Sequence, residues 1–380
     1  MSETLTRKEL LRLIDLVFQP GAEDPSLAFL VDLPDEHVPD HAAWRARREM
    51  VAGWHRDLLA SGSALGLRQV ELVFYRNARR NNADLPSEAW IYAGGGLPQQ
   101  ARDIEGRRLP MRDVFAQSRI LIAATELSAT APLKLAAREF GFRAATMPGF
   151  TEAMVPALRL DYEEIHRRCT VLKSKLDQAT GARIRFEAGD RACSLLLDLR
   201  HRTAAASGGL IRQPGTAANL PSGETYIVPY EGEIADDPSR TAGSMPLELD
   251  GELMAYEIER NRVRRVLGGG PRAAAEAAEM KAEPAYSNVA ELGLGILSGY
   301  GIRPVGELLL DEKLGLHIAF GRSDHFGGQV GAKDFSSPEK VVHIDRVYLP
   351  EVQPSISVPS VDLVMPEGPP LPLMRDGEYV

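Results

Sequence analysis

The sequence places His317, His325 and His343, three of its eight histidines, within 27 positions of one another. His343 and Asp345 are two residues apart in an apolar run with strand character. Side chains two apart in a strand share a face, so His343 and Asp345 project together while Ile344 points to the core. An imidazole beside a carboxylate is a natural half-site for a divalent cation.

His317 lies between Leu316 and Ile318, in a second run that predicts a buried strand. Burying an unpaired polar ring costs a few kcal/mol, so His317 needs a partner or a ligand role. The spacing leaves an alternative open, because a His-x-Asp pair in a strand is more often a hydrogen-bonded pair than a metal site. On spacing alone, both interpretations stand.

The elements that carry these residues belong to the second half of the chain, which predicts a mainly antiparallel sheet or barrel. Its one clear helix covers residues 272–281, and its proline-rich last 30 residues are expected to wrap the surface. The predicted strands are Ala182–Phe186, Ser194–Leu199, Glu224–Pro229, Leu247–Leu249, Leu253–Ile258, Val263–Leu267, Leu316–Phe320 and Val341–Tyr348.

The first half has an α/β pattern. Helices are predicted over residues 4–18, with Thr6 as the cap, and over residues 41–60, whose Arg45, Arg47 and Arg48 are expected on a solvated face. A strand over 70–75 and a strand–helix–strand unit over 119–147 complete the pattern. The predicted fold class is an α/β N-terminal domain, residues 1–180, and a β-rich (α+β) C-terminal metal-binding domain, residues 181–380.

Composition excludes several classes of protein. The chain has 53 acidic and 44 basic residues and a net charge of −9, which disfavours nucleic acid and anionic membrane as partners. It has no apolar stretch of membrane-spanning length and no secretory signal pattern, so a cytoplasmic location is expected. Cys169 and Cys193 are too few for a disulfide framework or a zinc cluster.

Four further motifs occur in one order along the chain: NLPSGE, ending at Glu224; NVAELGLG, containing Glu291; LLDEK, leading to HIAFG at His317; and His343-x-Asp345. In this order they resemble the aminopeptidase T/aminopeptidase S metallopeptidases. Ser128-x-Thr130 and Met147-Pro148-Gly149 also look like that family's N-terminal domain. The resemblance covers residues 119–345, whereas the first hundred residues match no known pattern.

The resemblance implies a homodimer and two divalent metals, Zn, Co or Mn, held by two glutamates, two histidines, an aspartate and a tyrosine. The ligands implied here are Glu224, Glu291, His317, His343 and Asp345. Glu224 would bridge the two cations and Glu291 would shuttle a proton to or from a metal-activated water. The family's tyrosine is replaced by Asp324, followed by His325, and either residue is a candidate replacement ligand.

Three functions follow from this resemblance. The first is a metal-dependent hydrolase of aminopeptidase type, which removes N-terminal residues from small peptides or cleaves a related amide. The second is a ring-cleaving dioxygenase of the related dihydroxypyridine type, in which His317, His343 and Asp345 would hold one Fe(II) and the substrate would be a hydroxylated pyridine or aromatic acid. The third is a non-catalytic relative.

Overall fold

The computed structural model describes residues 3–380, which form two compact units. The first unit contains residues 3–166 and 209–222, and the second contains 167–208 and 223–380. Their parallel and antiparallel sheets confirm the predicted fold class, an α/β part and a β-rich part. The predicted domain boundary near residue 180 stays a prediction. The segment 209–222, although it follows that position in the chain, packs as part of the first unit.

The helices and strands, numbered in chain order, have the following bounds. The helices are α1 (Arg7–Phe18), α2 (Ala42–Ser61), α3 (Met111–Gln117), α4 (Thr130–Phe140), α5 (Val155–Leu158), α6 (Tyr162–Asp177), α7 (Pro271–Ala282) and α8 (Leu308–Asp311). The strands are β1 (Ser26–Leu33), β2 (Gln69–Arg76), β3 (Glu88–Ile91), β4 (Arg107–Pro110), β5 (Ile120–Ala123), β6 (Arg143–Thr146), β7 (Gly181–Ala188), β8 (Arg191–Asp198), β9 (Ala205–Ser207), β10 (Ala217–Asn219), β11 (Glu224–Ile227), β12 (Ala242–Leu249), β13 (Glu252–Glu259), β14 (Arg262–Leu267), β15 (Val289–Gly295), β16 (Leu316–Gly321), β17 (His343–Val347), β18 (Ile356–Val364), β19 (Leu371–Arg375) and β20 (Glu378–Tyr379).

The first unit is built on one sheet with strand order β10-β6-β5-β1-β2-β3-β4. Strands β10, β6, β5, β1 and β2 pair in parallel, and β3 and β4 are antiparallel at one edge. Every residue of β1 is buried, as expected for a central strand covered on both faces. β1 is absent from the predicted strands, although six of the eight residues in its run SLAFLVDL are apolar.

Two features of the first unit test the sequence predictions closely. Thr6 caps α1 as predicted, with Glu9 completing a capping box. The expected solvated arginine face on α2 is wrong for two of its three members, because Arg47 and Arg48 are only 2% and 1% exposed. These guanidinium groups are buried because acidic partners neutralise them.

The second unit contains two antiparallel sheets. One has the order β17-β16-β15-β11-β9 and the other β14-β13-β12-β8-β7-β18-β19-β20. The second sheet corrects the expectation for the C-terminal residues, since β18 pairs with β7 and buries Val361 and Leu363 completely. Among the described residues, no helix combines the length and the apolar character needed to cross a membrane.

Candidate metal centre

The sheet β17-β16-β15-β11-β9 brings the predicted ligands to one face. Glu291, Ala319 and Asp345 face one another across β15, β16 and β17. Antiparallel partners in register project to the same side, and so do residues two apart on one strand. His317 therefore shares the side of Ala319, and His343 shares that of Asp345. Ala319, between them, carries only a methyl group.

Glu291 is the centre of this cluster. Its Oε1 lies 3.5 Å from Nε2 of His317, and its Oε2 lies 3.2 Å from Nε2 of His343. Nε2 of His317 is also 3.6 Å from Oε2 of Glu224, and Nε2 of His343 is 3.7 Å from Oδ1 of Asp345. All five predicted ligands from the motifs are thus brought together.

The five side chains form two groups of three whose donor atoms lie within 4.8 Å of one another. The Glu224 group contains Glu224, Glu291 and His317, and the Asp345 group contains Glu291, His343 and Asp345. Donors about 2.0–2.1 Å from one tetrahedral ion are separated by about 3.3–3.4 Å. The contacts of 3.2–3.7 Å between these atoms are close to this spacing, and three of the four are longer than an ordinary hydrogen bond.

Backbone carbonyls orient both histidines. Nδ1 of His343 lies 2.7 Å from the carbonyl oxygen of Arg322, and Nδ1 of His317 lies 3.4 Å from that of Gly315. A proton held on Nδ1 leaves Nε2 as the nitrogen that faces the carboxylates, which is the form a metal ligand needs.

Gly293 makes room for the ring of His317. The two residues are partners across β15 and β16, and a Cβ at position 293 would lie 1.8 Å from Nε2 of His317. A larger residue at 293 would displace the ring from Glu291. The absence of a side chain at Gly293 therefore allows the imidazole to occupy its position. The oxygen and nitrogen donors around it are of the types that bind a divalent cation.

Charges within the cluster shift the pKa values of its members. Burial opposes charge on His317, but the carboxylates of Glu291, Asp345 and Glu224 outweigh it and raise the pKa of His317 to about 9. The same balance, with Asp345 and Glu291 as the partners, raises the pKa of His343 well above its ordinary value. Burial would raise the pKa of Glu291, yet both histidines lower it. The carboxylates of the cluster thus stabilise positive charge on the groups that lie among them.

The sequence predictions miss Lys313, which lies at the edge of this cluster. Its Nζ is 2.5 Å from Oε1 of Glu224 and also pairs with Glu312, and its side chain is only 2% exposed. Burial lowers the pKa of Lys313, but these two carboxylates raise it overall. The sequence feature that could have identified Lys313 is the position of a lysine in LLDEKLG, three residues before the start of a buried strand.

Asp324 and His325 lie in a short 3-10 helix and belong to neither group of three. Asp324 pairs with Arg322 at 2.6 Å. The His325 ring lies 3.9 Å from that of Phe326 and 5.2 Å from that of His343, centroid to centroid. Burial, followed by the charge on His343, lowers the pKa of His325 to about 4. Their ligand role stays a prediction.

Tyr226 is a second residue that the sequence predictions overlook. It lies two positions after Glu224 in β11 and therefore on the same side of the strand. Burial, together with the charges of Glu291 and Glu224, raises the pKa of Tyr226. Its ring packs against Phe326 at 4.7 Å between centroids. A neutral phenol thus borders the carboxylates.

No protein-family model and no curated protein sequence matches this chain. Two solved structures are similar to it along nearly their whole length. One is 2,5-dihydroxypyridine dioxygenase from Pseudomonas putida KT2440, with a TM-score of 0.60, 14% identity, and coverage of 99% of this chain and 98% of that one. The other is wild-type AmpT from Thermus thermophilus, with a TM-score of 0.54, 17% identity, and coverage of 98% and 99%. The chain shares the fold of both proteins.

Proposed function

We propose that this protein is a metal-dependent hydrolase of aminopeptidase type that acts on small peptides or related amides. The observation that carries the proposal is the pair of donor groups sharing Glu291, each with two carboxylates and one histidine. Nitrogen and carboxylate donors of this kind suit Zn, Mn or Co, the ions used in amide hydrolysis.

The composition of the groups favours hydrolysis over ring cleavage. An Fe(II) dioxygenase site needs two histidines and one carboxylate around a single ion. Here His317 belongs to the Glu224 group and His343 to the Asp345 group, and Glu291 lies between them. The observed arrangement contains more carboxylate than such a triad requires.

The residues of the site have different roles in the proposed hydrolysis. A bound divalent cation polarises a carbonyl oxygen and lowers the pKa of water. Glu291, His343 and Asp345 would hold the cation, and the carbonyl of Arg322 keeps His343 in place. A buried carboxylate, Glu224 or Glu291, accepts the proton released from the water and delivers it to the leaving amine. The acidic face would also attract the free amino terminus of a peptide.

The test is metal analysis of anaerobically purified protein together with two assays. We expect Zn, Mn or Co, release of amino acids from di- and tripeptides, and no oxygen uptake with hydroxylated pyridines. Iron with oxygen uptake would establish the dioxygenase instead. Metal without either activity would favour the non-catalytic relative.

A matched pair of variants adds a control to these assays. His343→Ala removes a proposed ligand, whereas His201→Ala removes a histidine that pairs with Asp237. We expect metal content and peptide hydrolysis to fall only in His343→Ala. The predicted homodimer is tested separately, by light scattering.

A further inference from the structure

Glu231 is a buried carboxylate that lies outside both donor groups and has no role in the proposed hydrolysis. Its side chain is only 6% exposed. Its Oε1 accepts hydrogen bonds from Oγ of Ser323 at 2.6 Å and from Nδ2 of Asn288 at 2.7 Å, and its Oε2 accepts one from the backbone N–H of Gln329. The guanidinium of Arg202 lies 3.8 Å away. An ionised carboxylate only accepts hydrogen bonds, and these four neighbours all carry donors.

Glu231 holds together the two ends of a loop that follows β16, residues 322–330. Ser323, near the start of this loop, is completely buried, and its backbone N–H donates to the carbonyl oxygen of Val330 at 2.9 Å. A Cβ at Gly328 would lie 2.2 Å from Oγ of Ser323 and 3.1 Å from Oε1 of Glu231. A side chain at position 328 would therefore separate the hydroxyl from the carboxylate.

The peptide group that joins Arg322 to Ser323 connects this loop to the metal centre. Its N–H is the one that donates to Val330, and its carbonyl oxygen lies 2.7 Å from Nδ1 of His343. That carbonyl keeps a proton on Nδ1 and leaves Nε2 for a metal. Because a peptide group is planar, its N–H and C=O move together. A displacement of Ser323 therefore also displaces the acceptor that orients His343.

Asn288 connects Glu231 to a second strand that carries a candidate ligand. Asn288 directly precedes β15, the strand of Glu291, and its Nδ2 also donates to the carbonyl oxygen of Gly321 at 3.1 Å. Gly321 ends β16, and its N–H donates to the carbonyl oxygen of Asn288 at 2.8 Å. One carboxylate thus links the start of the Glu291 strand to the loop that orients His343.

We propose that Glu231 is a positioning residue of the candidate metal centre, which holds His343 in its ligand orientation through the 322–330 loop. The inference rests on the proposed function only in so far as that function requires a metal bound at His343. Partners that orient a ligand histidine typically contribute about 10- to 100-fold to metal affinity. Glu231 is expected to contribute in this range without contacting the metal.

The first test compares Glu231→Gln with Glu233→Gln. A carboxamide at position 231 carries an NH₂ group, so it cannot accept from all the donors that face it. We expect the affinity for Zn²⁺, measured by competition with a chromophoric chelator, to fall about 10- to 100-fold in Glu231→Gln. Glu233 also pairs with Arg202, and its side chain is 27% exposed. Glu233→Gln makes the same change next to the same arginine and should leave the affinity unaltered.

The second test removes the hydroxyl of Ser323 and keeps the charge of Glu231. Ser323→Ala should also lower the affinity for Zn²⁺. The double variant should lose no more than Glu231→Gln alone, because both changes break the same connection. If the two losses multiply in the double variant, the residues act independently and the route through the loop is wrong.

Two further measurements distinguish positioning from a contribution to folding alone. Urea denaturation of the metal-free proteins measures the cost of each change to stability, and the visible absorption of bound Co²⁺ reports the geometry of its ligands. We expect the Co²⁺ spectrum to change in Glu231→Gln and to stay the same in Glu233→Gln. A Glu231→Gln protein that is less stable but binds Zn²⁺ and Co²⁺ as the wild type does would overturn the inference.

The outcomes separate this inference from the proposed function. Unchanged affinity in folded Glu231→Gln overturns the role of Glu231 and leaves the hydrolase in place. Lowered affinity in that variant, with no peptide hydrolysis by the wild-type protein, supports Glu231 and overturns the hydrolase. Wild-type protein that binds no divalent metal overturns both.

Discussion

Each unit of the protein contains a buried acidic cluster, and the two clusters satisfy their charges in different ways. In the first unit, Asp32 is fully buried at the end of β1 and accepts hydrogen bonds from Trp44 Nε1 at 3.1 Å and from the N–H groups of Glu126 and Leu127 at 2.8 and 3.1 Å. Glu126 pairs with Arg47 at 2.8 Å. The carboxylates of this cluster therefore have donors supplied by the protein.

In the second unit, the carboxylates and imidazoles of the metal centre face one another instead. Three of their contacts lie between 3.5 and 3.7 Å, longer than an ordinary hydrogen bond, and the fourth is 3.2 Å. The comparison teaches that acidic residues alone do not mark a site. A candidate metal site is instead indicated by acidic and imidazole groups whose remaining lone pairs point toward the same space.

The largest expected effect is the loss of metal in Glu291→Gln. Glu291 belongs to both donor groups, so neutralising it should lower metal affinity at least about 100-fold and remove peptide hydrolysis. Isothermal titration with Zn²⁺ measures the affinity. Glu126→Gln makes the same change in the first unit and should leave the affinity unaltered; equal losses in both variants would refute the distinction between the clusters.

Breaking the cluster of the first unit should affect stability and not metal. Arg47→Met leaves Glu126 without its guanidinium partner and removes a 2.6 Å hydrogen bond to the carbonyl of Phe150. Glu126 is 24% exposed and keeps His41 at 3.0 Å, so the loss is that of charged hydrogen bonds, about 1–3 kcal/mol of the free energy of unfolding. Urea denaturation measures this cost. Reduced metal binding by the folded variant would show that the clusters are not independent.

The pH dependence of the metal-free protein should reveal His317. Its pKa rises from 6.5 to about 9 on folding, so protonated His317 stabilises the native state below pH 6.5. This contribution disappears as the pH rises through about 9, with a loss on the order of 3 kcal/mol. Urea denaturation of chelator-treated protein between pH 6 and 10 measures the loss. His317→Gln should show a flatter profile, and an equally steep one would contradict the assignment.

Removing the metal should also lower stability in the wild-type protein. Free metal at 100 times its dissociation constant stabilises the native state by about 2.7 kcal/mol. EDTA is therefore expected to lower the thermal midpoint, and added Zn²⁺ should restore it. Glu291→Gln should not respond to either reagent; a response would place the stabilising ion elsewhere.

The smallest expected effect belongs to His325. This ring lies against Phe326 and outside both donor groups, so His325→Ala should keep its metal equivalent. His343→Ala, five ångströms away between ring centroids, should lose it. Metal analysis of the two variants side by side makes the comparison. Loss of metal from His325→Ala would establish His325 as the replacement ligand.

Local pattern was sufficient where a residue's role depends on its immediate neighbours. Thr6 and Glu9 define the start of α1 through a capping box that is visible in the sequence. The two-residue spacing of His343 and Asp345 requires a shared face on any strand, and the structure has β17 over that pair. The five candidate ligands are implied by the order of the motifs. The number of residues between two positions does not give their distance in the folded protein.

Roles that depend on distant partners could not be read in the same way. Arg47 and Arg48 have the sequence pattern of a solvated helix face, yet Glu126 and Asp40 make their burial favourable. The sequence predicts a proline-rich surface segment over β18, whereas pairing with β7 makes it part of a sheet. Glu126 and β7 are distant in the chain from their partners, and Asp40 lies eight positions before Arg48, outside the helix.

The amino-acid order is enough to establish which residue types could bind a cation, and that strands carry His317, His343 and Asp345. Folding alone decides that Glu291 lies between both histidines and that Lys313 reaches Glu224, 89 positions earlier in the chain. Coulomb energy depends on separation in space and on burial, and both are properties of the folded sheet.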